Sequence, residues 1–370
     1  MKKIGIFTWH KIDNAYSCLW YLKEMLTDTY DVDIYAFNSR KDFDDPHYVS
    51  LSDTWYGKIR RFRIYAAKVD VFIKAQQYDA IILNDIDFFS AGFYLKKKYP
   101  EKIVVDYHTE LYSGDVTCPF TTEIFYTQHA NYPDMIIECL PERAEYRKNK
   151  FNITKEIYVI NNTLPLRDTQ CCKESINLSH YIPGKDNRPT LIYAGGCNLS
   201  RSLKDIIDSA DLFKGRLDYL FFCYGREDEF EAVQKICNQH ENCYIYKAID
   251  KKRLFQIMSA CDIGVQYYDP DYSVNHYYAA PSKFFEYIAM GLNVVSSRNC
   301  GIDKIIESND LGVCFDKSEG ISGGIEKLLN KGLRSQAYIR GVFEKKLCYE
   351  VDAKKAIQDL KSFVDNNKRL

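Results

Sequence analysis

Two ionisable residues spaced for joint chemistry, Lys283 and Glu286, stand in one continuous run. It reads Tyr277-Tyr278-Ala279-Ala280-Pro281-Ser282-Lys283-Phe284-Phe285-Glu286-Tyr287-Ile288-Ala289-Met290-Gly291-Leu292-Asn293-Val294-Val295-Ser296-Ser297. The pattern predicts a loop, a short helix, a glycine stop and a buried strand. Pro281 suits a helix start, where its missing N–H would be unpaired anyway. Phe284, Phe285, Ile288 and Ala289 recur at helical spacing as the buried face. Gly291 fits the left-handed residue that ends a helix. A lysine in the first turn opposes the helix dipole at a cost of about 0.3–1 kcal/mol. A bound anion reverses that sign, because helix N-termini and lysines both hold phosphates. Glu286, one turn on, is placed to accept hydrogen bonds from hydroxyls, and an anion beside a polyol describes a nucleotide or a sugar phosphate. Taken alone, the pair also reads as a solvated lysine with its i+3 partner.

A second cation recurs in the same setting. The apolar run Leu191-Ile192-Tyr193-Ala194 ends at Gly195-Gly196, followed by Cys197-Asn198-Leu199-Ser200-Arg201 and a helix from about Leu203. The glycines let backbone approach a ligand, and Ser202-x-x-Asp205 has the spacing of a helix cap. Arg201 then sits at a helix mouth, as Lys283 does, and two such cations in one half point to a diphosphate. No G-x-G-x-x-G follows a strand and no G-x-x-x-x-G-K-[ST] occurs, so dinucleotide and P-loop readings lose their support.

The elements that must position these residues are read from the whole chain. Its 370 residues predict two domains, and 50 basic against 51 acidic residues give a net charge of −1, which offers no basis for nucleic-acid binding. The 13 cysteines include no C-x-x-C, so they read as reduced thiols of a cytoplasmic protein. No run approaches the roughly 20 apolar residues that span a bilayer. Asp85-Ile86-Asp87 and Asp269-Pro270-Asp271 resemble metal-binding D-x-D pairs but read as loop caps, and no metal is expected. Strands are predicted at Ile4–Phe7, Val32–Phe37, Ala80–Leu83, Ile103–Val105, Met135–Ile137 and Ile157–Ile160, with helices at Phe89–Lys98 and Glu142–Lys150 between them. The segment 166–189 is polar, carries Pro183-Gly184 and reads as a linker. Alternation restarts with strands near 191–194, 219–223, 243–246, 263–265, 294–295 and 312–315, and an amphipathic helix runs from Asp352 to Val364. The expected class is α/β, with domains at 1–165 and 190–351 and a C-terminal helix, 352–370, that packs back on the first domain. Ligands of such sheets bind at the carboxyl ends of the strands.

In the family's order, five pieces of the second half carry a resemblance. They are Tyr193-Ala194-Gly195-Gly196 with Arg201, Cys223-Tyr224-Gly225-Arg226-Glu227, Ala260-Cys261-Asp262-Ile263-Gly264-Val265, Pro281–Tyr287 and Ala289–Val295. The first half adds Val105-Asp106-Tyr107-His108-Thr109-Glu110-Leu111-Tyr112 and Val159-Ile160-Asn161-Asn162-Thr163-Leu164-Pro165. Together they resemble GT-B glycosyltransferases of the family 4 type over nearly the whole chain, with the 281–295 piece the most specific. The resemblance implies the GT-B fold, two Rossmann-like doubly wound domains facing across a cleft, and a retaining, metal-independent transfer from a nucleotide sugar, with a UDP-sugar favoured.

Carried over, Glu286 would accept from the donor ribose, while Arg201 and Lys283 would hold the diphosphate. Gly195, Gly196, Pro281 and Ser282 would admit and flank it, and Lys247, Ala248 and Ile249 would frame the base. His108 would lie near the reacting sugar, with His10, Asp106 and Glu110 on the acceptor side. Tyr278 stands where the family often has a second glutamate that contacts the donor sugar, and the loop after the first strand lacks the usual glycines. The expected function is transfer to a glycan or lipid-linked acceptor in polysaccharide or cell-surface glycan assembly. The rivals are a nucleotide-sugar epimerase or hydrolase of the same fold and a non-enzymatic nucleotide-sugar-binding partner subunit. Lys58, Arg60, Arg61 and Arg63, interleaved with Trp55, Phe62 and Tyr65, read either as a solvated helix face or as a patch for an anionic membrane surface on its cytoplasmic side.

Overall fold

The structure is a computed structural model and describes residues 1–8, 17–36, 48–50, 68–111, 120–173, 176–199 and 202–366. Two compact units emerge: Met1–Asn162 together with Asp352–Leu370, and Thr163–Val351. The first holds a seven-stranded sheet and the second a six-stranded sheet, and every pairing in both is parallel. This is the doubly wound pair of the GT-B fold.

Strands of the first sheet are β1 Lys3–Thr8, β2 Asp31–Ala36, β3 Tyr48–Ser50, β4 Ala80–Asn84, β5 Ile103–Tyr107, β6 Met135–Glu138 and β7 Ile157–Val159, in spatial order 3-2-1-4-5-6-7. Those of the second are β8 Thr190–Gly196, β9 Asp218–Tyr224, β10 Cys243–Lys247, β11 Ile263–Gln266, β12 Asn293–Ser297 and β13 Gly312–Phe315, in order 10-9-8-11-12-13. Helices cover both faces of a parallel sheet, so its inner strands are apolar throughout rather than alternating. Every residue of β4 and β5 is buried, as is every residue of β11, β12 and β13.

The order reverses between β1 and β4 in the first sheet and between β8 and β11 in the second. Such switch points open a crevice at the carboxyl ends of the strands, where doubly wound sheets bind ligands. In the second unit this crevice is bordered by Gly195 and Gly196, which end β8, and by the chain that leaves β11 for the Ser282–Met290 helix.

The last helix, Lys354–Asn366, belongs to the first unit. Its buried stripe is Ala356, Ile357, Leu360 and Val364. Lys2 Nζ donates to the Val364 carbonyl at 2.5 Å, and the Tyr30 hydroxyl donates to Asp365 at 2.9 Å. Just before the helix, Asp352 accepts from the backbone and side-chain nitrogens of Asn161 at 2.5 and 2.7 Å. β3 and the helix Phe120–His129, whose threonines and aromatics give little helical signal, lie beyond the elements expected of the first unit. The segment 166–189 contains the 3-10 turns Leu166–Lys173 and Leu178–His180 and belongs to the second unit.

Candidate functional site

The Ser282–Met290 helix is buried from Phe284 through Met290, on its polar side as well as its apolar one. Pro281 is its N-cap residue, with the helix beginning one residue later, and Gly291 closes it in the left-handed region at φ 90°. The Tyr287 hydroxyl accepts from the Ala194 amide at 3.1 Å and lies 3.3 Å from the Val265 carbonyl, so it ties the helix to the ends of both β8 and β11. The first turn of the helix is thereby held at the switch point.

Lys283 and Glu286 do not pair with each other. The Lys283 ammonium stands 4.3 Å over the Tyr193 ring and 5.9 Å from that of Tyr268, a cation–π setting. It also lies where Gly195 would carry a side chain: a Cβ there would be 2.7 Å from Lys283 Nζ and 2.7 Å from the Tyr193 hydroxyl. Glycine at 195 is what lets strand end and ammonium approach. Glu286 is only 5% exposed, and its Oε1 accepts from Lys251 Nζ at 2.5 Å. The solvated i+3 pair is therefore not formed.

The other donor-side positions are distributed around this core. Ser282 is exposed, while Pro281, Gly196 and Tyr278 are half-buried. Tyr278 follows the short helix Val274–Tyr277, with its ring 4.8 Å from that of Tyr277. Lys247 is exposed and paired with Glu227 at 2.7 Å, and the Ala248 amide extends the sheet by donating to the Cys223 carbonyl at 2.8 Å. Arg201 and His10 lie outside the described residues, as do Lys58, Arg60, Arg61 and Arg63. Ser202 departs from the expected cap. It adopts the left-handed region at φ 60° and its side chain makes no cap hydrogen bond; it bonds Tyr267 instead.

Beside this cluster, the carboxyl ends of β11, β12 and β13 enclose a pocket of about 240 Å³. Tyr267, Tyr277 and Phe315 give it aromatic walls, and Arg298, Asp303 and Asp316 a charged rim. Arg298 bonds Asp316 at 3.1 Å and Glu307 at 2.8 Å. The Ser297 hydroxyl at its edge accepts from the Tyr268 amide at 2.9 Å, so one residue separates the pocket from the Lys283 ammonium.

The candidates of the first unit sit in a different environment. His108 and Asp106 have no exposed surface, and His108 Nε2 lies 2.8 Å from Asp106 Oδ1, close but poorly aligned for a hydrogen bond. Asp106 also accepts from the Tyr126 hydroxyl at 2.9 Å and lies 3.6 Å from Arg147, itself 3.5 Å from Glu138. Arg143 donates to the Thr109 carbonyl at 3.1 Å. Asp85, at φ 61°, accepts from the amides of Thr109 and Glu110 at 2.9 and 3.1 Å, which makes it a loop anchor. Glu110 is exposed. Asp269 likewise accepts from the Asp271 amide at 3.0 Å.

Thiol chemistry is suppressed by burial, which pushes Cys18 up to about 11 and Cys237 and Cys314 up to about 12. Among the described residues no group of His, Cys, Asp and Glu is arranged to hold a metal ion. No described helix is long and apolar enough to cross a membrane.

Lys251 is the residue that motif reading missed. A signal existed: it opens the Lys251–Met258 helix behind the Asp250 cap, a second lysine set against a helix dipole.

Residues 178–342 match the family described as glycosyl transferases group 1. No curated protein matches the chain. Among solved structures, sucrose-phosphate synthase from Thermosynechococcus elongatus is similar with a TM-score of 0.77 and 14% identity, over 99% of this chain and 100% of that one. HepE of Anabaena, solved in complex with UDP, has a TM-score of 0.72 and 13% identity, over 98% and 100%. A putative UDP-N-acetylglucosamine 2-epimerase from Listeria monocytogenes has a TM-score of 0.66 and 16% identity, over 100% and 98%.

Proposed function

We propose, from the match of residues 178–342 to the glycosyl transferases group 1 family, that the chain transfers a sugar from a UDP-sugar to a glycan or lipid-linked acceptor. The observation that carries this reading is the approach of Lys283 to Gly195 at the end of β8, with Glu286 one turn further along the same helix. A cation, a helix N-terminus and a glycine backbone that the cation approaches closely suit a diphosphate, and a carboxylate one turn away suits the ribose. Arg201, carried over from the resemblance, supplies the second cation.

In this reading the acceptor hydroxyl attacks the anomeric carbon on the face the diphosphate leaves. The new carbon–oxygen bond forms as the carbon–phosphate oxygen bond breaks, and the hydroxyl proton passes to a donor phosphate oxygen. Lys283 and Arg201 meet the charge that grows on the leaving diphosphate, which is where fixed charges lower a barrier most. No metal ion has a step in this scheme. His108 is buried against Asp106 beside the Thr109–Leu111 loop, which Asp85 and Arg143 hold. Acceptor contacts fall to Glu110 and His10, and the basic residues Lys58, Arg60, Arg61 and Arg63 suit an acceptor in an anionic membrane.

A second reading is an acceptor-independent nucleotide-sugar epimerase or hydrolase, favoured by Tyr278 at the position of the expected sugar-binding carboxylate. The test is product analysis with UDP-, GDP- and ADP-sugars, with and without oligosaccharide and lipid-linked acceptors. Nucleoside diphosphate release that requires an acceptor supports transfer. Release or epimer formation without one supports the second reading. Binding without turnover leaves the chain as a nucleotide-sugar-binding subunit. Flotation with anionic liposomes, comparing wild type with a variant neutralised at Lys58, Arg60, Arg61 and Arg63, tests the membrane surface; equal flotation contradicts it.

A further inference from the structure

We infer that Lys251 is a positioning residue that aims the Glu286 carboxylate, and so sets the preference of the site for ribose over 2′-deoxyribose; this rests on the nucleotide-sugar reading above. Lys251 Nζ lies 2.5 Å from Glu286 Oε1, and the two side chains are 26% and 7% exposed. No described residue donates to Oε2 of Glu286. One oxygen is thus held and the other is left to accept from a ligand hydroxyl.

The helix itself has no use for this lysine. Asp250 already caps the Lys251–Met258 helix by accepting from the Arg253 amide at 2.9 Å, and a cation in the first turn opposes the dipole. Nor can Lys283 do the same work, since its ammonium is turned to the rings of Tyr193 and Tyr268. The two lysines divide the site: Lys283 faces the diphosphate end, and Lys251 fixes the carboxylate at the ribose end. A charged acceptor bonds a hydroxyl more strongly than a neutral one, and one held at a single oxygen keeps the other aimed. A purely structural ion pair would make a different prediction. Its loss would weaken folding and depress affinity for ribose and deoxyribose nucleotides alike.

The experiment is calorimetric titration of the full chain with UDP, GDP and ADP. It is followed by the 2′-deoxy counterpart of the tightest binder, for wild type, Lys251→Met and Lys251→Arg. Wild type is expected to prefer the ribonucleotide by about tenfold, the factor set by one hydrogen bond to a charged acceptor. Lys251→Met should reduce the preference to about twofold or less, and Lys251→Arg should restore most of it. Equal preference in Lys251→Met and wild type, at whatever affinity, overturns the inference while leaving the nucleotide reading intact. Binding of none of the three nucleotides by wild type overturns both.

Discussion

The carboxyl ends of the two sheets carry the same residue types and use them in opposite ways. In the first unit Asp106, His108, Glu138, Arg143 and Arg147 are all buried, in charge contact with one another or hydrogen-bonded to Tyr126 or to the loop after β5. At the end of β8 and β11 in the second, Lys283 rests on aromatic rings and Glu286 has one oxygen held. A buried charge network is desolvated on folding, so removing one partner leaves the others buried and uncompensated. A cation over aromatic faces is held in position by the ring quadrupoles. Equivalent topology thus gives one end that anchors a loop and one end that the proposed function assigns to the nucleotide sugar.

That contrast can be broken by substitution, and the largest effect is expected in the first unit. Arg147→Met strips the guanidinium from two buried carboxylates and should cost about 3–5 kcal/mol of stability, read from urea denaturation; a loss below about 1 kcal/mol would mean the network is not structural. In the second unit Lys283→Met should leave the unfolding midpoint nearly unchanged and lower turnover of the nucleotide sugar by about 10²–10³-fold. Comparable losses of stability in both variants would erase the distinction.

Asp352 sharpens the comparison within the first unit, because its partner is a neutral amide rather than a guanidinium. Burial raises its carboxyl from 3.8 to about 6, against the opposing pull of the Asn161 hydrogen bonds. The folded state therefore binds the proton more tightly than the unfolded chain. The associated stability is fully present below pH 3.8 and is lost as pH rises through about 6. Two pKa units bound that loss at about 3 kcal/mol. Asp352→Asn should flatten the stability profile between pH 4 and pH 7, and an unchanged slope would contradict the assignment. The smallest effect is expected at Gly195→Ala. Its new Cβ must displace the Lys283 ammonium or the Tyr193 hydroxyl, raising KM for the donor about tenfold at nearly constant stability, a discrimination worth about 1.4 kcal/mol.

The sheets were legible in the sequence because both faces of a parallel sheet are covered, which turns Ala80–Leu83 or Gly312–Phe315 into unbroken apolar runs. The Lys283 and Glu286 pair was legible through its conflict with the helix dipole and its place before Gly291. What stayed hidden depended on side chains meeting across distant elements. Arg143 and Arg147 lie in Pro141–Lys150, a helix whose composition reads as solvated, and only the pairing of β5 with β6 buries them beside Asp106 and Glu138. Lys251 is 35 residues from Glu286 along the chain. No local pattern links the two, since the contact is made by how the helices after β10 and β11 pack. At Ser202 a local signal was overruled: the residue is left-handed and its side chain bonds Tyr267 rather than the first helical amides.

The central claim is that the second unit binds a nucleoside diphosphate through the residues at the ends of β8 and β11. Calorimetric titration of UDP into wild type and Glu286→Ala tests it most directly. The account predicts saturable binding by wild type and an affinity at least about tenfold weaker in the variant, the loss of a hydrogen bond to a charged acceptor. Identical affinities would contradict it.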